Sequence, residues 1–257
     1  MNKTKRRESI LEELKKEKEV SINLLKKLLG VSVSTIHRDL DELEREGHIK
    51  KVFGGIVLVP DETPEIFCSV RLNTNPDLKR KIAKKALNYI ENKDCIFIDN
   101  SSTGYYFAKA LSQSNIKNII IVTYSNLIPN LFVNNYNIQV VSTGGFFNKE
   151  MNCFMGTCAI NTINEFNANK FFFSVAGVSI NSGLTDFYDV NLTSLKRAMF
   201  NKSNEKICIV DSTKFEKIWQ HKMFDFKEIN NVITDNNIDN KILTSYLSFC
   251  SKVIIAS

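Results

Sequence analysis

Two short amphipathic helices joined by a very short turn constrain the fold of this chain more than any other feature. Ser21 provides the N-cap of the first helix, and Gly30 ends it, because glycine readily takes a left-handed conformation. The apolar residues of this helix recur at helical spacing: Ile22, Leu25, Leu28 and Leu29. Ser32 caps the second helix, whose apolar residues also form one inward stripe: Val33, Ile36, Leu40 and Leu43. Only "GV" lies between the first helix and the next cap, so the helices must pack together, which predicts a helix-turn-helix.

The segments on either side extend this motif to a winged helix. Residues 5–17 form an earlier amphipathic helix, with charged side chains on its outer face. After Gly47 the pattern becomes extended, and "HIKKV" and "IVLV" around a Phe-Gly-Gly corner predict a hairpin. We therefore assign residues 1–59 to a winged helix-turn-helix DNA-binding domain. With the helix of residues 5–17 counted first, the helix that Ser32 caps is the third. In such a domain the third helix enters the major groove and the wing contacts phosphates.

The outer face of the third helix and the wing carry side chains that suit DNA. The candidate DNA-binding residues are Ser32, Ser34, Thr35, His37, Arg38, Lys50, Lys51, Phe53 and Gly54. Arg38 is the strongest of them, because a guanidinium pairs with guanine or phosphate through two hydrogen bonds. Asp39 is interpreted as structural and held by a neighbouring cation. For each candidate taken singly, an ordinary solvated position is the alternative.

Charge and composition agree with this organisation. Residues 1–55 hold thirteen Lys and Arg against ten Asp and Glu, so half of the net charge of +6 lies in about a fifth of the chain. The 257 residues, 43% hydrophobic and 24% charged, exclude wholesale disorder and are long enough for two domains. No apolar run is membrane-spanning or precedes a cleavage site, so we expect a cytoplasmic protein with no membrane partner. The six cysteines are scattered and expected to be buried, and with three histidines we predict no metal site and no cofactor.

The rest of the chain has the pattern of an α/β domain. Residues 60–76 hold three of the four prolines, show no period and are predicted to be a linker to a second domain, residues 77–257. Helical segments such as "KRKIAKKALNYIEN" alternate there with strand-like runs: "CIFID", "NIIIVT", "IQVVST", "KFFFSVAG" and "KICIVD". This alternation predicts a mostly parallel, Rossmann-like sheet covered on both faces, with Phe171–Phe173 in its core.

Each strand-like run is followed by polar or glycine-containing residues, and parallel strands bring such stretches to one edge of a sheet. Hydroxyls and helix-start amides at that edge suit a phosphate or a polyol, and a lysine supplies a cation. The candidate effector-binding residues are Asp99, Ser101, Ser102, Thr103, Thr123, Ser125, Gly144, Gly145, Gly177, Lys196, Asp211 and Lys214. Ordinary turns are the alternative, because Ser, Thr and Gly crowd them, and Gly144-Gly145 are the least specific of the set.

Both halves of the chain resemble the DeoR family of bacterial transcription regulators. The family pattern "VSxxTIRRDLxxLExxG" followed by "RVHGG" is matched at these positions: Val31, Ser32, Thr35, Ile36, Arg38, Asp39, Leu40, Leu43, Glu44, Gly47, Val52, Gly54 and Gly55. The departures are His37 and Lys51, where the family has Arg, and Phe53, where it has His. They concern the operator sequence and the phosphate contacts, while the fold is retained.

In the second half the resemblance lies at the strand ends. The family motifs "DSGTT", "TNS", "GG", "GLT…VKRAM" and "DSSKFG" are similar to residues 99–103, 123–125, 144–145, 183–185 with 196–199, and 211–215. The family's sensor domain looks like sugar-phosphate isomerases of the ribose-5-phosphate type, so the resemblance implies a phosphorylated sugar as effector. The departures are Asn100, Ser101, Tyr124 and Leu192, which change the pocket.

These observations predict a sequence-specific transcriptional regulator, a repressor of a sugar-metabolism operon whose DNA affinity is modulated by a phosphorylated sugar. A single winged helix contacts few base pairs, so we expect a homodimer or homotetramer on repeated half-sites of a double-stranded operator. The alternative is a sugar-phosphate isomerase-like enzyme with an accessory DNA-binding domain. It is disfavoured because Leu192 stands where the family often has Glu, although Asp99 and Asp211 remain candidate bases. We therefore predict no catalytic residue and no enzyme.

Overall fold

The computed structural model describes residues 2–17, 20–45, 48–52, 55–58, 68–249 and 252–257. The chain divides into two compact units, residues 1–74 and 75–257. Within the predicted linker, Cys68–Asn73 form a short helix. Pro76, which had suggested a connector, is instead the first residue of the next helix, a position where its missing N–H has no partner to lose.

The first unit contains helices followed by a hairpin and a short last helix. Its elements are α1 (Lys3–Lys16), α2 (Ile22–Leu29), α3 (Val33–Arg45), β1 (Ile49–Val52), β2 (Gly55–Leu58) and α4 (Cys68–Asn73). Strands β1 and β2 pair antiparallel, and Val20 forms a further antiparallel bridge with Ile56. Gly30 has a φ of 64° between α2 and α3, which is the left-handed helix end that the sequence predicts. The predicted winged helix-turn-helix is confirmed.

The core of this unit is formed by one face of each of α1, α2 and α3 and by the hairpin. Its buried apolar residues are Ile10, Leu14, Val20, Leu25, Leu29, Ile36, Leu40, Leu43, Ile49 and Ile56. The predicted stripes are wrong at Val33 and Leu28, which are 38% and 51% exposed. Val33 is the first residue of α3, where the core ends, and Leu28 lies about a quarter turn from the middle of the buried face of α2.

An ion pair joins the first and third helices. The Nε of Arg6 donates to Oδ2 of Asp39 at 2.7 Å, and a second guanidinium nitrogen donates to Oδ1 at 3.1 Å. Asp39 is only 2% exposed, so its carboxylate requires this partner. The interpretation of Asp39 as a structural residue held by a cation agrees with this geometry.

The second unit is an α/β domain. Its helices are α5 (Pro76–Ala86), α6 (Ser102–Ser112), α7 (Thr157–Asn164), α8 (Val190–Asn201) and α9 (Asn240–Phe249). Its strands are β3 (Cys95–Ile98), β4 (Ile119–Thr123), β5 (Ile138–Ser142), β6 (Phe146–Asn148), β7 (Cys153–Met155), β8 (Ala168–Phe173), β9 (Gly177–Ser179), β10 (Gly183–Asp186), β11 (Ser203–Ile209), β12 (His221–Phe224), β13 (Asn231–Asp235) and β14 (Val253–Ala256). The main sheet has seven parallel strands in the order β14-β13-β11-β8-β3-β4-β5. Strands β6 and β7 form a hairpin, and β12-β10-β9 form a small antiparallel sheet.

Helices cover both faces of the main sheet because successive strand residues point to opposite sides. On β8, Phe171 and Phe173 pack with α7, α8 and α9, whereas Phe172 packs with α5 and α6. All three side chains are fully buried, which confirms their assignment to the core. The five predicted strands are present, and the Rossmann-like α/β class is confirmed. Cys158 is exposed, so the expectation that the cysteines are buried is wrong at that position.

We predict that Leu40→Ala lowers the free energy of unfolding by roughly 2–5 kcal/mol, because a fully buried leucine leaves a cavity. Val33→Ala, in the same helix, should change it by less than about 0.5 kcal/mol because Val33 lies outside the core. Urea unfolding of the full chain, followed by circular dichroism, measures both. Equal losses for the two variants would contradict the assignment of the core.

Candidate functional site

The strand order of the main sheet reverses between β3 and β8. From β3 the chain continues through α6 to β4 on one side, whereas from β8 it continues through α8 to β11 on the other. Helices α6 and α8 lie on opposite faces of the sheet, so the loops that follow β3 and β8 diverge. Open α/β sheets bind ligands in the crevice at such a reversal, at the carboxyl ends of the strands.

Asp99 connects the two sides of this crevice. Its Oδ1 accepts hydrogen bonds from the backbone N–H and the hydroxyl of Ser101, and its Oδ2 accepts from the backbone N–H of Ser174 at 3.1 Å. Asp99 follows β3 and Ser174 follows β8, so one carboxylate joins the loops after two neighbouring strands. The side chain is fully buried.

Lys196 reaches the same carboxylate from α8. Its Nζ donates to Oδ2 of Asp186 and to the carbonyl of Ser174, each at 2.8 Å, and lies 3.7 Å from Oδ2 of Asp99. We call Asp99, Ser174, Asp186 and Lys196 the switch-point cluster. The cluster contains two carboxylates and one ammonium and so carries a net negative charge. It therefore suits the hydroxyl groups of a ligand better than a phosphate or another anionic group.

The N-terminus of α6 lies directly after Asp99. The hydroxyl of Ser101 accepts a hydrogen bond from the N–H of Gly104 at 2.9 Å and so caps the helix. Ser102 and Thr103, the first helical residues, are buried, and the first amides of a helix have no carbonyl partner within it. A Cβ on Gly104 would lie 2.9 Å from Oδ1 of Asp99, so glycine is required for this approach. Such a helix start favours an anion.

The ends of β4 and β5 serve mainly their own turns. The hydroxyl of Thr123 accepts from the N–H of Ser125 at 3.1 Å, and the hydroxyl of Ser125 accepts from the N–H of Leu127 at 3.3 Å. Gly144 and Gly145 have φ values of 64° and 111°, in the region that favours glycine. A Cβ on Gly145 would meet the Met155 carbonyl oxygen at 2.5 Å, whereas nothing lies within 4 Å of that position on Gly144.

On the other side of the crevice, β11 and β13 end in two buried carboxylates. Asp211 accepts hydrogen bonds from the N–H and hydroxyl of Thr213, and Asp235 accepts from the N–H of Ser212 at 2.7 Å. These bonds hold the turn that carries Lys214. Lys214 is half-buried and forms no ion pair with a described residue, which leaves its ammonium available to an anion.

Gly177 has a packing role. A Cβ there would lie 2.3 Å from the Lys217 carbonyl oxygen and 2.6 Å from Oγ1 of Thr185. The same Thr185 hydroxyl accepts from the N–H of Trp219 at 3.0 Å. The absence of a side chain at Gly177 therefore allows the segment around Trp219 to pack over β9. This packing accounts for the glycine without a contact to a ligand.

The candidate DNA-contact residues of α3 and its cap differ in their exposure and in the hydrogen bonds that they make within the protein. The hydroxyl of Ser32 accepts from the N–H of Thr35 at 3.2 Å, so Ser32 is the cap of α3. Ser34, His37 and Arg38 are exposed on one helix, and Thr35 is half-buried.

The wing is described only in part. The ammonium of Lys51 forms an ion pair with Asp41 and lies 3.4 Å from Oε2 of Glu44, so acidic groups already surround its charge. The hydrogen bond with Asp41 raises the pKa of Lys51. Phe53, Gly54 and the side chain of Lys50 lie outside the described residues.

Sequence reasoning missed the residues that complete the crevice. They are Gly104 in α6, Asp186 and Asp235 at the ends of β10 and β13, and Ser174 and Trp219 in loops. Asp186 directly follows the "GLT" motif at residues 183–185, which is an available signal. Gly104 lies five residues after Asp99, close enough along the chain to be considered with it. Ser174, Trp219 and Asp235 have no signal in the sequence, because their partners are distant along the chain.

The comparisons with known proteins identify the family. A family model described as "DeoR C terminal sensor domain" matches residues 74–236, and another described as "DeoR-like helix-turn-helix domain" matches residues 6–62. The chain belongs to the DeoR family. This DeoR-family chain is therefore a helix-turn-helix transcriptional regulator with a sensor domain, which confirms both the resemblance and the predicted regulatory function.

Several curated proteins are similar to it over most of their length. The HTH-type transcriptional regulator GolR of Listeria innocua is 31% identical over 241 residues, 94% of each chain. The L-fucose operon activator of Haemophilus influenzae is 30% identical and is covered over 94% of its length by 92% of this chain. A putative aga operon transcriptional repressor of Escherichia coli O157:H7 is 26% identical, with 91% of this chain and 87% of the relative covered.

Among solved structures, ribose 5-phosphate isomerase A of Neisseria gonorrhoeae matches 55% of this DeoR-family chain and 54% of its own, with 23% identity and a TM-score of 0.41. In the part of the chain that the structure describes, no helix has the length and apolar character to cross a membrane. Nor do three or more His, Cys, Asp or Glu side chains of that part group as ligands for a metal ion.

The two adjacent glycines provide a matched test of the site's backbone. We predict that Gly144→Ala lowers the free energy of unfolding by roughly 1–2 kcal/mol, through its positive φ alone. Gly145→Ala should lower it by about 1–3 kcal/mol more, because its new Cβ also clashes with the Met155 carbonyl. Urea unfolding of both variants measures the difference, and equal stabilities would rule out the close approach.

Proposed function

We propose that this DeoR-family regulator represses a sugar-metabolism operon and changes its affinity for double-stranded operator DNA when a phosphorylated sugar binds its sensor domain. The observation that carries the proposal is the switch-point cluster, in which a buried lysine lies between two carboxylates next to the N-terminus of α6. Hydroxyl-binding and anion-binding groups thus lie side by side, as a sugar phosphate requires.

The charges of the site indicate where the hydroxyl groups and the phosphate of the ligand bind. Asp99 and Asp186 repel a phosphate but accept hydrogen bonds from hydroxyl groups, so the sugar hydroxyls face the cluster. The phosphate is held at the start of α6 by Ser102 and Thr103, with Lys214 as its counter-charge, while Ser101 caps the helix. Thr123, Ser125, Gly144 and Asp211 shape the surrounding turns, while Gly145 and Gly177 act through packing.

The relatives support the class of operon. One relative is named as an L-fucose operon activator and another as a putative aga operon repressor, so both directions of regulation occur among similar proteins. We favour repression here, and we propose that the regulator works in the cytoplasm as a homodimer or homotetramer on paired half-sites. Residues 1–59 form the proposed DNA-binding domain and residues 77–257 the proposed sensor domain, with residues 60–76 between them.

The engagement of the candidate bases favours a sensor over an isomerase. A general base needs a lone pair directed at the substrate. Both oxygens of Asp99 already accept hydrogen bonds, and Asp211 is held by Thr213 of its own turn. Leu192 lies on α8, packed against the core, where the family often has a carboxylate. We therefore propose that the chain binds a sugar phosphate without converting it.

Regulation then requires the effector to prefer one conformation. An effector changes operator affinity only by the difference between its affinities for the two states, typically about 1–3 kcal/mol or roughly 5- to 150-fold. A sugar phosphate that bound both states equally would leave DNA binding unchanged. The decisive experiment is operator binding, on a duplex from the chain's own promoter, with and without a sugar phosphate that stabilises the protein in a thermal-shift panel. Turnover of that compound without a change in DNA affinity would favour the isomerase.

Salt dependence tests the wing. We propose that the ammonium of Lys51 exchanges its ion pair with Asp41 for an ion pair with a DNA phosphate. Lys51→Ala should therefore make the slope of log affinity against log salt shallower by about one. Thr35→Ala and His37→Ala should change the preference among operators at nearly constant slope. Fluorescence anisotropy between about 50 and 200 mM salt measures both.

Asp41→Asn is the matched control for Lys51, because it removes the competing carboxylate and keeps the lysine. We expect it to tighten DNA binding, the opposite of Lys51→Ala. If Lys51→Ala leaves the salt slope unchanged, Lys51 is not a phosphate contact.

Lys214 tests the position of the phosphate. We predict that Lys214→Met weakens sugar-phosphate binding by roughly ten- to a hundredfold, because a charge-assisted hydrogen bond is lost. Lys217→Met removes a neighbouring exposed lysine and should leave affinity within about twofold, since exposed charges contribute little. Isothermal titration calorimetry compares them. Similar losses in both variants would show a general charge effect instead of a contact.

A further inference from the structure

Tyr124 is a fully buried residue whose hydroxyl has no hydrogen-bond partner among the described residues. Burying a hydroxyl without a partner costs about 1–3 kcal/mol, and folded proteins contain few such groups. Its position therefore calls for a physical reason. Tyrosine also stands here where the resembling family pattern "TNS" has Asn, so the hydroxyl belongs to this chain's own version of the site.

The hydroxyl lies beside the crevice. Tyr124 follows the last residue of β4, next to β3, and the backbone N–H of Asn100 is near its oxygen without forming a hydrogen bond. Burial, followed by the nearby charge of Asp99, raises the pKa of Tyr124 well above the usual 10, so the group keeps its proton and remains a donor. It thus adjoins both the switch-point cluster and the loop that leads into α6.

A short segment covers this position. The N–H of Phe154 donates to the Tyr124 carbonyl at 2.8 Å, and the side-chain amide of Asn100 donates to the Met151 carbonyl at 3.3 Å. Met151, Cys153 and Met155 are buried against the same cluster of apolar residues as Tyr124. The phenol ring is therefore held in place by packing, while its hydroxyl is left without a partner, which is the condition for a preorganised donor.

We propose that Tyr124 is a specificity-determining residue of the sensor domain, whose hydroxyl donates a hydrogen bond to a hydroxyl or ring oxygen of the sugar phosphate effector. This inference rests on the proposed function and adds the residue that distinguishes the sugar from a bare anion. A site built to donate a hydrogen bond to an oxygen of the sugar discriminates against ligands that lack this acceptor, because the buried donor then stays unsatisfied.

A second buried tyrosine provides the matched control. Tyr246 is also fully buried, but its hydroxyl lies 2.8 Å from Oε1 of Glu216 and 3.0 Å from the Val178 carbonyl. In the ligand-free full chain, Tyr246→Phe should lower the melting temperature by about 2–4 °C through the lost hydrogen bond. Tyr124→Phe should leave it unchanged or raise it, because the lost hydroxyl had no partner.

Calorimetric titration with a panel of pentose and hexose phosphates, and with inorganic phosphate, completes the test. For the sugar phosphate that binds the wild-type chain most tightly, Tyr124→Phe should weaken affinity about five- to tenfold. It should weaken inorganic phosphate less than about twofold, because the proposed contact is to the sugar.

Three results would overturn the proposal: a melting temperature lowered as in Tyr246→Phe, unchanged sugar-phosphate affinity, or equal weakening of sugar phosphate and inorganic phosphate. Failure of the wild-type chain to bind any sugar phosphate would reject the proposed function itself, and this inference with it. That result is distinguishable because it does not depend on the variant.

Discussion

The carboxylate of Asp99 is the interaction on which the sensor domain depends. It accepts hydrogen bonds from the loops that follow β3 and β8, and the ammonium of Lys196 reaches it from α8. A fully buried carboxylate is tolerated only when it is paired and hydrogen-bonded, so these partners must all be in place for the fold to close. Because α6 and α8 cover opposite faces, this one group also connects the two faces at the reversal of the sheet.

Much of the polar chemistry at the strand ends is used by the protein itself. Ser101 caps α6, Thr123 and Asp211 hold their own turns, and Asp186 neutralises Lys196. A ligand must compete with these bonds or use groups that lack them. Within the described residues, the Tyr124 hydroxyl and the Lys214 ammonium are such groups, which is why both enter the proposals as direct contacts. The site therefore combines a rigid frame with few donors available to a ligand.

In the DNA-binding unit, ion pairs likewise determine which charged side chains are already engaged within the protein. Arg6 fixes Asp39 in the interior, and Asp41 and Glu44 surround Lys51. His37 and Arg38 stay exposed on α3, where a guanidinium can make contacts with base edges or phosphates. We propose that Lys51 leaves these acidic partners when it binds a DNA phosphate, so that acidic residues of α3 restrain DNA affinity in this unit.

Spacing along the chain determined the elements and their order. The caps Ser21 and Ser32, the left-handed Gly30 and the five apolar runs from Cys95 to Asp211 were sufficient for a winged helix followed by a parallel sheet, because helix and strand periods are local properties. Burial was mispredicted at the end of a helix, at Val33, because a helical period does not indicate where the core ends. Only the tertiary structure decided which polar groups meet. The bonds from Asp99 to Ser174 and from Lys196 to Asp186, and the partnerless hydroxyl of Tyr124, depend on strands that are adjacent in space and far apart in sequence.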